Sequence, residues 1–147
     1  MFGMTSTKGF CGNQHLNKGF LNKFKKMGYI KHHTIVVTGW SPDKVVDAHQ
    51  KAKEIFTKNF KNDAFASTSC VVSEIVKGAI NGQSSFFVAP DGSKEGWSTS
   101  DYGDISRKEF LDWLHNSDNY CDYIEIIFGG DSGYETILRS KDKDLHG

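Results

Sequence analysis

The residues of this chain best suited to chemistry lie on one loop, Ala89-Pro90-Asp91-Gly92-Ser93-Lys94-Glu95-Gly96-Trp97. Lys94 offers an ammonium to a phosphate, Ser93 a hydroxyl to phosphate or ribose, and Trp97 an indole on which a base can stack. The loop runs on through Ser98, Ser100, Asp101, Gly103 and Asp104 towards a helix start, whose free backbone N–H groups suit an anion. Arg107 follows in that helix. Trp40, beyond the first predicted strand, is a second stacking candidate. The plainer alternative is ordinary Pro-Asp-Gly turn chemistry with Trp97 buried as the loop's anchor.

His32-His33-Thr34 has the H-x-T form used by two-histidine phosphoesterases, which place two such elements face to face as acid and base. The second candidate, His115-Asn116-Ser117, falls at a predicted helix end rather than on a strand, which makes His33 a weak catalytic candidate. Otherwise one of the two histidines points to solvent and the other lines a sheet face. Cys11, His15, His32 and His33 have a spacing foreign to the familiar zinc modules, with no carboxylate nearby to orient them. No Walker, G-x-S-x-G or G-x-G-x-x-G element occurs. No catalytic residue, metal or cofactor is therefore expected.

Charge is segregated along the chain. Net charge is zero over 147 residues, but residues 1–42 hold six lysines and no acid, a net of +6. The remainder holds the other 12 cations and all 18 acids, a net of −6. Such asymmetry suits an anionic partner or docking between oppositely charged surfaces; a solvated basic arm is the simpler alternative. Lys18, Lys23, Lys25 and Lys26 could meet phosphates, with Phe20 or Phe24 stacking. No arginine precedes Arg107, which argues against specific duplex reading.

The length suits one domain, and 13% aromatic residues supply core area without disulfides. Cys11, Cys70 and Cys121 are expected as reduced thiols, at least two of them buried on strands. No apolar run spans a bilayer, and the first residues lack a signal-peptide layout, so a cytoplasmic protein is expected.

Hydrophobic periodicity predicts where the candidates sit. Residues 1–31 form a basic, glycine-broken N-terminal segment, 32–140 an α+β domain and 141–147 a charged tail. Phe10, Phe20, Phe24 and Tyr29 are expected to pack the N-terminal segment onto the domain or a partner chain. Thr34 to Thr38 reads as a central strand. Ser41 and Pro42 open a helix to Phe60 with Val45, Ala48, Ala52, Ile55 and Phe56 inward and His49 outside that stripe. Cys70 to Lys77 and Ser84 to Ala89 read as a hairpin turning at Asn81-Gly82. Pro90 to Gly103 reads as loop. Ser106 and Glu109 then form a capping box, with Ile105 stapled to Phe110, for a short helix ending near Asn116. Tyr120 to Phe128 and Tyr134 to Arg139 complete the order βαββαββ, a ferredoxin-like split βαβ sheet with one added C-terminal strand.

The stretch from His33 to Trp113 resembles a group of small uncharacterised bacteriophage-encoded proteins. The likeness is strongest over Ser84-Ser85-Phe86-Phe87-Val88-Ala89-Pro90-Asp91-Gly92-Ser93-Lys94-Glu95-Gly96-Trp97, then Gly103-Asp104, Arg107 and Phe110 to Leu114. The His32 to Gly39 strand and Ala48-His49-Gln50-Lys51-Ala52 share it. The resemblance covers a little over half of the chain and brings no assigned active site. It implies a role against host defences. On this reading the chain is a homo-oligomeric sponge in the host cytoplasm for a small phosphorylated nucleotide signal, held by Lys94, Ser93, Trp97 or Trp40, with Lys23 or Lys26. The alternatives are an inhibitor of a host defence protein, a nucleic-acid-coating protein, or a phosphodiesterase using His33.

Overall fold

The computed structural model describes residues 28–131, 133 and 135–141, and they form an α+β body. Its elements run β1 (His32–Gly39), α1 (Pro42–Phe60), β2 (Val76–Lys77), β3 (Ser84–Val88), α2 (Ser98–Asn116), β4 (Asp122–Phe128) and β5 (Thr136–Ser140). The five strands make one antiparallel sheet in the order β2-β3-β1-β4-β5. The β-branched run of β1 thus lies at the centre.

Strand alternation sorts the side chains. Ile35 and Val37 of β1, Phe86 and Val88 of β3 and Tyr123 of β4 are buried on one face. Against them lie Val45, Ala48, Ala52, Ile55 and Phe56 of α1, at the predicted helical spacing, and Phe110, Leu111 and Leu114 of α2. His49 is buried as well, contrary to the expectation that it points outward. Its Nε2–H donates to the Ser73 carbonyl at 2.8 Å, and its ring meets the edge of Phe86. Ser41 is the N-cap of α1 by backbone shape and Pro42 opens it, but the Ser41 hydroxyl makes no cap bond.

The predicted strand over Cys70 to Lys77 is regular only at Val76–Lys77. Its first half still runs beside β3: Ala89 N–H donates to Val71 O, Ser73 N–H to Phe87 O, and Val72 faces Val88. From Ser73 to Val76 is three steps, while the partners Phe87 to Ser85 are two steps apart. The extra residue is a bulge, and the Ser73 hydroxyl accepts the Phe87 N–H there. Cys70 is consequently exposed and off any strand, whereas Cys121 is buried; both are free thiols. Cys11 lies outside the described residues. The Asn81-Gly82 turn forms as expected, with φ positive at both residues (61° and 67°) as a type I′ turn requires.

The largest departure is at α2, which begins at Ser98 rather than Ser106. Ser98 and Thr99 hydroxyls donate to Asp63 Oδ2, and Ser100 donates to Glu95. Asp63 also accepts the backbone N–H groups of Phe65 and Ala66. Burial disfavours its charge, but these four donors outweigh that and hold its carboxyl below the ordinary range. One carboxylate therefore ties the start of α2 to the turn after α1. The predicted capping box is absent. Ser106 sits mid-helix with its hydroxyl on Tyr102 O, Glu109 reaches Lys58 and Asn59 of α1, and Ile105 is 54% exposed.

Candidate functional site

The candidates separate to the two ends of β1. Ser93, Lys94, Trp97, His33 and Arg107 lie at its start, beside the loop after β3. Trp40 lies past its other end, seven residues and about 23 Å from His33 at strand rise. Lys23 and Lys26 lie outside the described residues, as do Phe10, Phe20 and Phe24.

At the first end, acids and bases interlock. His33 Nε2 is 2.7 Å from Glu125 Oε1 of β4, and Nδ1 is 3.2 Å from Asp104 Oδ1 of α2. Ionised carboxylates only accept, so this geometry suits a His33 that donates from both ring nitrogens, as an imidazolium does. Burial lowers its pKa, yet the hydrogen bonds to Asp104 and Glu125 outweigh burial and raise it above 6.5. Arg107 is 1% exposed. Its Nη2 donates to Asp91 Oδ2 at 2.7 Å and its Nη1 to Asp104 Oδ1 at 3.1 Å. Its Nε–H has no hydrogen-bond partner among the described residues. Burial also works against ionised Asp104, but the bond to His33 and the charges of Lys31 and Arg107 lower its pKa.

This node organises the loop. Asp91 Oδ1 accepts the Ser93 N–H, an Asx-turn. Glu95 pairs with Lys31 at 3.2 Å, while its backbone exchanges hydrogen bonds with Gly28 and Tyr29. Residues 28–31, assigned by sequence to the N-terminal segment, are thus tied to the body. Lys94 and Trp97 share one exposed turn, with Trp97 56% exposed at the N-cap position of α2. Trp97 is therefore no core anchor. Arg107 and His33 are committed to internal carboxylates rather than presented to a ligand.

Gly103, read from sequence as a helix breaker, sits inside α2 for a steric reason. A Cβ there would fall 2.6 Å from Asp91 Oδ2 and 3.0 Å from Arg107 Nη1. Gly103→Ala should therefore lower stability by about 1–3 kcal/mol, despite alanine's better helix propensity. Urea unfolding reads the loss; a stabilised variant would mean the node tolerates displacement.

The other end carries a cleft. Thr38 pairs with Asp122, so continuing the register sets Trp40 across from Tyr120. Gly39 makes this approach feasible, because a Cβ there would lie 2.9 Å from Cys121 Sγ. Trp40 (60% exposed), Tyr120 (74% exposed), Ser41, Lys44, Gly39 and Cys121 line a cleft of about 310 Å³. Buried Asn119 fixes one wall: its Nδ2 donates to Lys44 O of α1, and its Oδ1 accepts the Cys121 N–H. Lys44 makes no ion pair among the described residues. A neighbouring cleft of about 230 Å³, lined by His115, Asn119, Tyr123 and Lys141, shares Tyr120 and Cys121. Burial pushes the Cys121 thiol up, so it is a poor nucleophile.

Sequence reasoning named Trp40 but missed Lys44, Tyr120 and Asn119, which become neighbours only through the β1–β4 register. It also missed Glu125. The signal for Glu125 was available: an acid between Tyr123 and Ile127 on the inward row of a strand needs a buried partner.

Of the Cys11, His15, His32 and His33 set, the first two lie outside the described residues. His33 is held by carboxylates, and His32 packs on Phe128. No group of three metal-ligating side chains occurs among the described residues. No described helix is long and apolar enough to cross a membrane. A scan against protein-family models gives no match to this chain, and neither does a search of the curated proteins.

Proposed function

We propose that this chain is a non-catalytic binding protein that captures a small phosphorylated nucleotide between Trp40 and Tyr120. The carrying observation is that two largely exposed aromatic rings line one cleft with a lysine that has no ion pair among the described residues. Large aromatic surface left in water at a concave site is suited to stacking a base. Lys44, the Ser41 hydroxyl and the backbone N–H groups of Asp43 and Lys44 suit the phosphate, Pro42 having none to offer and Val45 N–H being bonded to Ser41 O. The cleft volume lies at the lower end of small-molecule sites, and the adjoining cleft extends it towards a two-ring ligand. Both nitrogens of His33 being engaged favours binding over acid–base turnover.

The setting that fits is phage counter-defence in the host cytoplasm, by a homo-oligomer sequestering an immune nucleotide; this rests on the sequence resemblance. The strand order β2-β3-β1-β4, with two helices on one face, supports the ferredoxin-like split βαβ reading with β5 added at the edge.

Isothermal titration with cyclic dinucleotides and ADP-ribose derivatives tests this. At least one should give saturable heat, weakened by added salt. Trp40→Ala should weaken binding by about 10- to 100-fold, the effect of losing one stacked base. Absence of heat from every ligand, at protein concentrations well above micromolar, defeats the proposal. Recovery of a cleaved ligand would defeat it in favour of the phosphodiesterase.

A further inference from the structure

We infer that the sheet face turned away from the helices is the interface of a homodimer. Register and alternation assign its side chains. Val36 of β1 lies between Phe87 of β3 and Ile124 of β4, and Thr34 lies beside Ile126, itself paired with Ile137 of β5. Val76 of β2 pairs with Ser85, and Phe128 with His32. No helix of this body packs there. Val36, Phe87, Phe128, Ile137 and Val76 are 38, 46, 37, 59 and 67% exposed.

An antiparallel sheet with one face in water normally alternates apolar inside with polar outside. Here the outer positions include Val36, Phe87, Ile124, Ile126, Phe128, Ile137 and Val76 beside the polar His32, Thr34, Thr38, Ser85 and Asp122, more apolar side chains than a solvated face needs. Five large apolar side chains left 37 to 67% exposed on one continuous face are the kind of surface that a small protein–protein interface covers. The occupant argued for is a second copy, on two grounds. First, the interior of the face holds no Lys, Arg, Asp or Glu among the described strand residues; Asp122 and His32 stand at its ends. A neutral face meets its own copy without like-charge repulsion, and it offers nothing to a charged partner or a nucleic acid. Second, β1 is the middle of five strands, with Phe87 and Val76 to one side and Ile124, Ile126 and Ile137 to the other. A two-fold axis passing near Val36 therefore lays apolar side chains on apolar side chains, as an isologous contact requires.

Sedimentation equilibrium of the full chain tests this between about 1 and 100 µM, a range that brackets modest dimer affinities. Expected is a mass approaching twice 16.5 kDa at the upper end. Ile137→Lys and Phe87→Lys should each raise the dissociation constant at least about tenfold, while Ile105→Lys, on the exposed side of α2, leaves it unchanged. Two lysine variants are used so that one remains informative if the other misfolds by circular dichroism. A single-chain mass throughout overturns the proposal, whether the face is then bare or covered by residues of the same chain. So does a dimer that both folded variants leave intact.

Discussion

Arg107→Ala is expected to lower the unfolding free energy by about 3–5 kcal/mol, the usual cost of stranding a partner of a buried ion pair. The guanidinium is 1% exposed and reaches Asp91 and Asp104 at once, which links the loop after β3 to α2. The Asp91 side chain is only 9% exposed, so the truncation leaves a carboxylate with little water to replace its partner. Lost packing of the long aliphatic stem adds to the effect. Arg107→Met combined with Asp91→Asn should recover part of the loss, since that pair strands no charge on Asp91. Urea midpoints of the single and double variants measure this. A single-variant loss below about 1 kcal/mol would mean that water already reaches the node.

His33→Leu should cost about 2–4 kcal/mol near pH 6, because it leaves buried Glu125 with only the longer 3.9 Å contact to Arg139 and removes a cation from Asp104. The wild-type protein should also show a pH dependence that the variant lacks. The folded state raises the His33 pKa above 6.5, so it holds this proton more tightly than the unfolded chain does. Its contribution is full below pH 6.5 and disappears as pH rises through the folded value. Asp104 and Asp63 act in the opposite sense: their lowered pKa values contribute stability above about pH 3.8 that is lost as acid titrates them. Stability should therefore decline on both sides of a mildly acidic maximum. Thermal unfolding from pH 3 to 9 checks this, and His33→Leu should flatten the alkaline limb. An alkaline limb retained in the variant would assign that titration elsewhere.

The charge network explains why the helix boundary was hard to read. Ser98-Thr99-Ser100 carries loop chemistry in isolation, and Gly103 is a poor helix residue. Their conformation is decided by Asp63, Glu95 and Asp91, which are distant or ambiguous in sequence. The Ser106/Glu109 pattern is a genuine local signal that lost to this: a helix already nucleated upstream needs no cap there, and both side chains turned to other partners. The second strand is shorter than its β-branched run predicts for a similar reason. A bulge at Ser73 has no local signature, because it arises from fitting His49 and the Ser73 hydroxyl against β3.

Local sequence by itself determined β1, the apolar stripe of α1, the Asn81-Gly82 turn, β3 and β4, since each rests on periodicity or turn chemistry within a few residues. It also determined that the first 42 residues carry all their charge with one sign. Only the tertiary structure decided which charges meet and which remain open. Antiparallel pairing of β1 with β4 brought His33 to Glu125 at one end and set Trp40 and Tyr120 around one cleft at the other. Those pairs are 92 and 80 residues apart in the chain, beyond the reach of any local pattern. Burial then completed the selection: Arg107 and His33 were drawn into internal ion pairs, while Lys44, Trp40 and Tyr120 came to line a cleft at the far end of the sheet.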